Sequence, residues 1–155
     1  MADKTIYNSR INPGEKEADA VVLHCSDHRF QRSFHEFLTR GLKVGLYALL
    51  SIPGGGHFLS MEAMMSKYFK ISMQSLSFHI ERNRPRRVIF IGHHDCIFFR
   101  EQVQFYFLEP DINQKQFANL RKARTRLQER FPGIVVELYF ADASSDGSVS
   151  FIKVE

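Results

Sequence analysis

Apolar and polar positions along this chain follow two periods. Five short apolar runs have the length of buried strands: Ala20 to His24, Leu46 to Ile52, Arg87 to Ile91, Ile134 to Phe140 and Val149 to Val154. Between them the spacing turns helical. Phe34, Phe37 and Leu38 predict a helix from Phe30 to Leu42, with Gly41 as a stop. Phe58 to Asn83 is the longest helical stretch: Met61, Met64, Met65, Tyr68 and Phe69 form one stripe, and Met73, Leu76 and Ile80 the next, with a break expected near Lys70 to Ser72. Arg84-Pro85 ends it, because proline pushes the preceding residue out of helical geometry. Ile97, Phe98, Phe99, Val103 and Phe105 to Leu108 are apolar on more than one face, which predicts a deeply buried helix or a subunit interface. Asp111 reads as an N-cap with Gln114 three residues on, and Phe117, Leu120, Leu127 and Phe131 mark the apolar face that follows.

The order β-α-β-α-β-α-α-β-β favours an α/β fold, an open and mostly parallel sheet with helices on both faces. Asp146-Gly147 is a hairpin dipeptide, so the last strand returns antiparallel. If the second and third strands flank the first, the sheet reverses direction between the first and third. Their carboxyl ends then frame a crevice. Residues 1–19 are polar, broken by Pro13-Gly14, and read as an N-terminal arm, with a single domain over residues 20–155.

Composition narrows the class. A hydrophobic fraction of 44% and a charged fraction of 25% are ordinary for a globular protein, and no apolar run approaches the length of a bilayer span. The polar start is unlike a secretory signal, and two cysteines suit a reducing cytoplasm, where thiols bind metal, catalyse or lie buried more often than they pair. The net charge of +4 is spread out.

The chemistry concentrates at two strand ends. Val21-Val22-Leu23 runs into His24-Cys25-Ser26-Asp27-His28-Arg29, and Val88 to Ile91 runs into Gly92-His93-His94-Asp95-Cys96. Both cysteines alone would read as buried thiols. With His93 between them in the crevice they form a three-ligand set for Zn2+, leaving a fourth position for water or a carboxylate. Asp27 lies within reach of that position, and Arg29 suits a bidentate clamp on it.

These residues resemble the β-class carbonic anhydrases, whose zinc site joins a Cys-x-Asp-x-Arg element to a His-x-x-Cys element. The resemblance extends from about Asp19 to Phe151. It implies a sheet of order 2-1-3-4 with an antiparallel fifth strand, assembled as a homodimer or higher homo-oligomer. It implies zinc on Cys25, His93 and Cys96, with Asp27 and Arg29 as the catalytic dyad. The implied activity is reversible hydration of CO2 to bicarbonate by a zinc-bound hydroxide, with Asp27 available as a fourth ligand in a closed state. Two departures stand out: Ile97 replaces the glycine that commonly follows the second cysteine and would crowd the pocket mouth, and Ile52-Pro53-Gly54-Gly55-Gly56 replaces a loop with a basic residue, Asn, Ala and Gly. The same ligands are compatible with CS2, COS or no catalysis.

Other features read more plainly. Gly54-Gly55-Gly56-His57 lacks the Lys-Ser/Thr ending of a nucleotide loop and suits a tight turn beside the pocket. His28 and His94 read as surface residues. Arg82, Arg84, Arg86 and Arg87, and Arg121, Lys122, Arg124, Arg126 and Arg130, raise nucleic-acid binding as a rival function, without any recognised reading motif. A solvated helix face accounts for most of them.

Overall fold

A computed structural model describes residues 4–11, 14, 17–102 and 111–155. Five strands form one sheet in the order β2-β1-β3-β4-β5. They are β1 (Ala20–His24), β2 (Tyr47–Ser51), β3 (Arg87–His93), β4 (Val136–Ala143) and β5 (Val149–Lys153). The first four are mutually parallel, and β5 runs antiparallel to β4. This is the anticipated topology.

Alternation along the strands sorts the core into two layers. Val21 and Leu23 of β1, Val88 and Phe90 of β3, and Leu138 and Phe140 of β4 face one side. There they meet Leu76 and Ile80 of α2 (Ser66–Asn83) and Leu120, Ala123 and Leu127 of α4 (Ile112–Arg130). Ala20, Val22, Ile89 and Ile91 face the other side, against Phe34 of α1 (Gln31–Glu36) and Leu38 of the wider π-type turn Phe37–Gly41 that continues it. A sheet covered on both faces needs strands apolar at every position, which is why these runs lack polar alternation.

The stretch from Phe58 divides differently from the expectation. Gly55–Ser60 form a 3-10 helix, and α2 starts only at Ser66, then runs unbroken through Lys70 to Ser72. The single Met61-to-Phe69 stripe therefore does not exist: Met61 is buried while Met64 and Tyr68 are exposed. Arg84 closes α2 in the left-handed conformation, just before proline. After β3 comes α3 (Ile97–Gln102). The apolar residues from Val103 to Leu108 lie outside the described residues.

Two local signals act as anticipated. The Asp111 carboxylate accepts a hydrogen bond from the Gln114 backbone N–H at 3.0 Å, satisfying one of the free donors of α4. Asp146 accepts from the N–H and hydroxyl of Ser148 while Gly147 takes φ +85°, turning the chain between β4 and β5. Arg87, counted within a basic cluster, instead pairs with Glu137 at 3.1 Å and donates to the Leu42 carbonyl. No helix among the described residues is long and apolar enough to cross a membrane.

Asp111→Ala is expected to cost about 1 kcal/mol of stability through loss of its cap. Chemical denaturation of the variant beside the parent checks this; an unchanged midpoint would refute it.

Candidate metal centre

Parallel pairing sets His24, the last residue of β1, beside Ile91, and β3 runs two residues further to His93, at the point where the sheet order reverses. At those ends, the candidate ligand atoms of Cys25, His93 and Cys96 all lie within 4.8 Å of one another. All three residues are buried. The two sulfurs stand 3.9 Å apart and are unbridged. Two thiolates bound to one tetrahedral zinc at about 2.3 Å would stand roughly 3.8 Å apart.

The imidazole is prepared in the same way. Its Nδ1 lies 2.9 Å from the His94 carbonyl, a contact that requires the proton on Nδ1 and leaves Nε2 as a lone pair. That Nε2 is buried without a hydrogen-bond partner among the described residues. A buried unpaired nitrogen beside two thiols is what a metal ligand looks like without its ion. Phe30 packs on the His93 ring at 4.4 Å between centroids and holds its plane. The donor set therefore fits zinc.

The electrostatics of the sulfurs are unequal. Cys25 accepts a hydrogen bond from the Cys96 thiol and another from the Gly54 N–H at 3.3 Å, so its acidity is raised despite burial. Cys96 is pushed the other way, first by its hydrogen bond to Cys25 and then by burial. Gly54 and Gly55 have φ of +77° and +55°. A Cβ on Gly55 would lie 2.9 Å from the backbone of His24 and Cys25, so the glycine loop presses directly on the end of β1. Met61 and Phe99 complete an apolar wall around the thiols. Ile97 is not part of that wall and is 39% exposed, so it does not fill the space among the thiols.

Asp27 and Arg29 form the clamp. Arg29 donates from Nε to Oδ1 at 3.0 Å and from Nη2 to Oδ2 at 2.7 Å, and its backbone N–H reaches Oδ1 as well. These bonds lower the Asp27 carboxyl to about 2. The other side of the guanidinium holds Asp95, through its carboxylate at 3.2 Å and its carbonyl at 2.9 Å. Asp95 sits at φ +50° and is held in turn by Arg100. Gln31 donates to the carbonyls of Cys25 and Asp27, fixing the intervening loop from the first turn of α1.

The sequence singled out Asp27 and Arg29 but not Asp95, Gln31 or the pair His57 and Gln116. Gln116 had a signal: with Leu120, Ala123 and Leu127 it recurs at 4, 3 and 4 residues on the buried stripe of α4, a polar group where an apolar one belongs. His28 is exposed, as anticipated. His94 is only half exposed, with Nδ1 3.1 Å from Asp142 Oδ1.

Because folding lowers the pKa of Asp27 below its ordinary 3.8, its stabilisation is present above about pH 4 and lost as pH falls through about 2. Asp27→Asn is therefore expected to be less stable than the parent at pH 5 and to converge with it near pH 2. Metal-free protein in denaturant titrations at both pH values checks this; a constant gap would refute it.

A family profile described as "Putative carbonic anhydrase" matches residues 15–153. No curated protein matches the chain. Among solved structures, the fold is similar to β-carbonic anhydrase isoform I of Trichomonas vaginalis, with TM-score 0.55, 13% identity, and coverage of 96% of this chain and 90% of that one. A β-carbonic anhydrase of Aspergillus fumigatus matches at TM-score 0.45 and 16% identity, covering 90% and 77%. Tetrameric β-carbonic anhydrases of Sordaria macrospora match at 0.48 and 12%, covering 90% and 82%. The profile runs through both ligand-bearing strand ends and all five strands, and the chain belongs to the carbonic anhydrase family it describes.

Proposed function

We propose that this protein is a zinc-dependent carbonic anhydrase of the β type, interconverting CO2 and bicarbonate. The observation that carries the reading is the buried Nε2 of His93, without a hydrogen-bond partner among the described residues, beside the thiols of Cys25 and Cys96. Those three residues would hold the ion. Bound there, zinc supplies hydroxide near neutral pH by lowering the pKa of water towards about 7.

The chain's own groups do the rest. Asp27, ionised at every working pH, accepts the proton of the attacking hydroxyl in a hydrogen bond and turns its lone pair towards the carbon of CO2. Arg29 occupies both carboxylate oxygens, which supports a resting arrangement with Asp27 off the metal. Asp95 grips the opposite side of the guanidinium and keeps the clamp from swinging. Met61 and Phe99 limit the water that competes for the site. Tyr68, Ile71 and Phe78, exposed along α2, support assembly with further copies of the chain.

Protein purified without chelators is expected to carry about one zinc per chain, and Cys96→Ala to lose it. Asp27→Ala is expected to keep its zinc and to lose about 100-fold or more in CO2 hydration. Stopped-flow assays with metal analysis on each variant check both. Full zinc with background hydration in the parent would move the substrate to another small electrophile such as COS. A folded parent without metal would remove the metal centre altogether.

A further inference from the structure

We propose that Gln116 and His57 form a positioning relay that fixes the end of β3 and so aims His93 at the metal. The inference rests on the metal-centre reading above. Gln116 projects from the buried face of α4 and is wholly inaccessible to solvent. Its Nε2 donates to the His93 carbonyl at 3.2 Å, and its Oε1 lies 3.1 Å from His57 Nε2. Because the amide nitrogen is spent on the carbonyl, the amide oxygen must accept, and His57 must carry its proton on Nε2. Burial lowers His57 to about 3, so the ring is neutral and the tautomer is fixed at working pH.

Three chain segments meet in this relay: the 3-10 helix after β2, α4, and the last residue of β3. Backbone bonds from β4 serve the other side of the turn, with His94 N–H donating to the Ala141 carbonyl. Gln116 is thus a side-chain hold on the His93 peptide from the α4 layer.

Packing alone does not explain the two residues. His57 is fully enclosed, with Phe99 edge-on at 4.2 Å, and its Nδ1 has no hydrogen-bond partner among the described residues. A phenyl ring would fill that volume without burying an unpaired nitrogen. The arrangement has a use only through Nε2, whose proton locks the Gln116 amide so that its nitrogen faces the His93 carbonyl. Groups that orient a ligand without touching the ion act on affinity and ligand field, and their loss weakens binding by about 10- to 100-fold.

The test is metal binding rather than turnover. Metal-free parent, Gln116→Met and His57→Phe proteins are titrated with Co2+, with competition for affinity and visible absorption for ligand geometry. Gln116→Met is expected to bind about 10- to 100-fold more weakly and to shift its absorption bands. Adding His57→Phe to that variant is expected to change affinity by less than about twofold, because His57 acts only through Gln116. Phe117→Leu, on the same helix, serves as the control that lowers stability while leaving the spectrum in place. If Gln116→Met fails to fold, His57→Phe alone carries the test, with weaker binding and a shifted spectrum expected. A folded Gln116→Met, or His57→Phe in its stead, with parental affinity and bands overturns the relay and leaves the metal centre intact. Additive losses in the double variant overturn the coupling of the two residues. A parent that binds no Co2+ at all overturns the metal centre and the relay with it.

Discussion

The register of β1 against β3 is the constraint on which the rest depends. Val22 pairs with Ile89 and His24 with Ile91, so β3 runs two residues past the end of β1 and brings His93 near Cys25. A slip of one residue would turn His93 to the opposite face relative to β1 and separate it from the Cys25 thiol. The register is held by burial: every residue of β1 is buried, as are all but the first of β3, and alternate side chains belong to different core layers. The apolar core thereby specifies a polar site that contributes little to the core itself.

Around that fixed junction the protein concentrates buried polar groups in pairs. His93 Nδ1 is matched to a carbonyl, Gln116 is used at both ends, and the Cys25 sulfur faces a backbone N–H. Each such match removes a desolvation cost that an unpaired group would carry. Among the described residues the exceptions are His93 Nε2 and His57 Nδ1. The first points to an ion; the second accompanies a ring whose other nitrogen is committed to Gln116.

The acidic and basic groups nearer the surface follow a different logic. Asp27 sits between the guanidinium of Arg29 and the loop backbone, and Arg29 is shared with Asp95, which Arg100 holds in turn. A chain of alternating charges like this restrains each member from two sides, so a long arginine side chain loses little further freedom when Asp27 engages it. The carboxylate is consequently held ionised and oriented by the protein's own groups.

The strands, the parallel sheet, the antiparallel hairpin and the grouping of Cys25, His93 and Cys96 were legible in the sequence. Continuous apolar runs, a capped helix at Asp111 and thiols at strand ends are local signals, and local signals survive in one dimension. The residues from Met61 to Phe69 were not legible, because Met61 turned inward under a 3-10 helix whose shape depends on glycines packed against β1. Nor were Gln31, Asp95 and the pair His57 and Gln116. Gln116 lies 23 residues from His93 and 59 from His57, and nothing local joins them. The sequence by itself determined which side chains could bind a metal and that they end strands. Only the tertiary structure decided what orients them, because hydrogen bonds between distant buried groups arise when α4 docks on the sheet and closes off the water that would otherwise satisfy them.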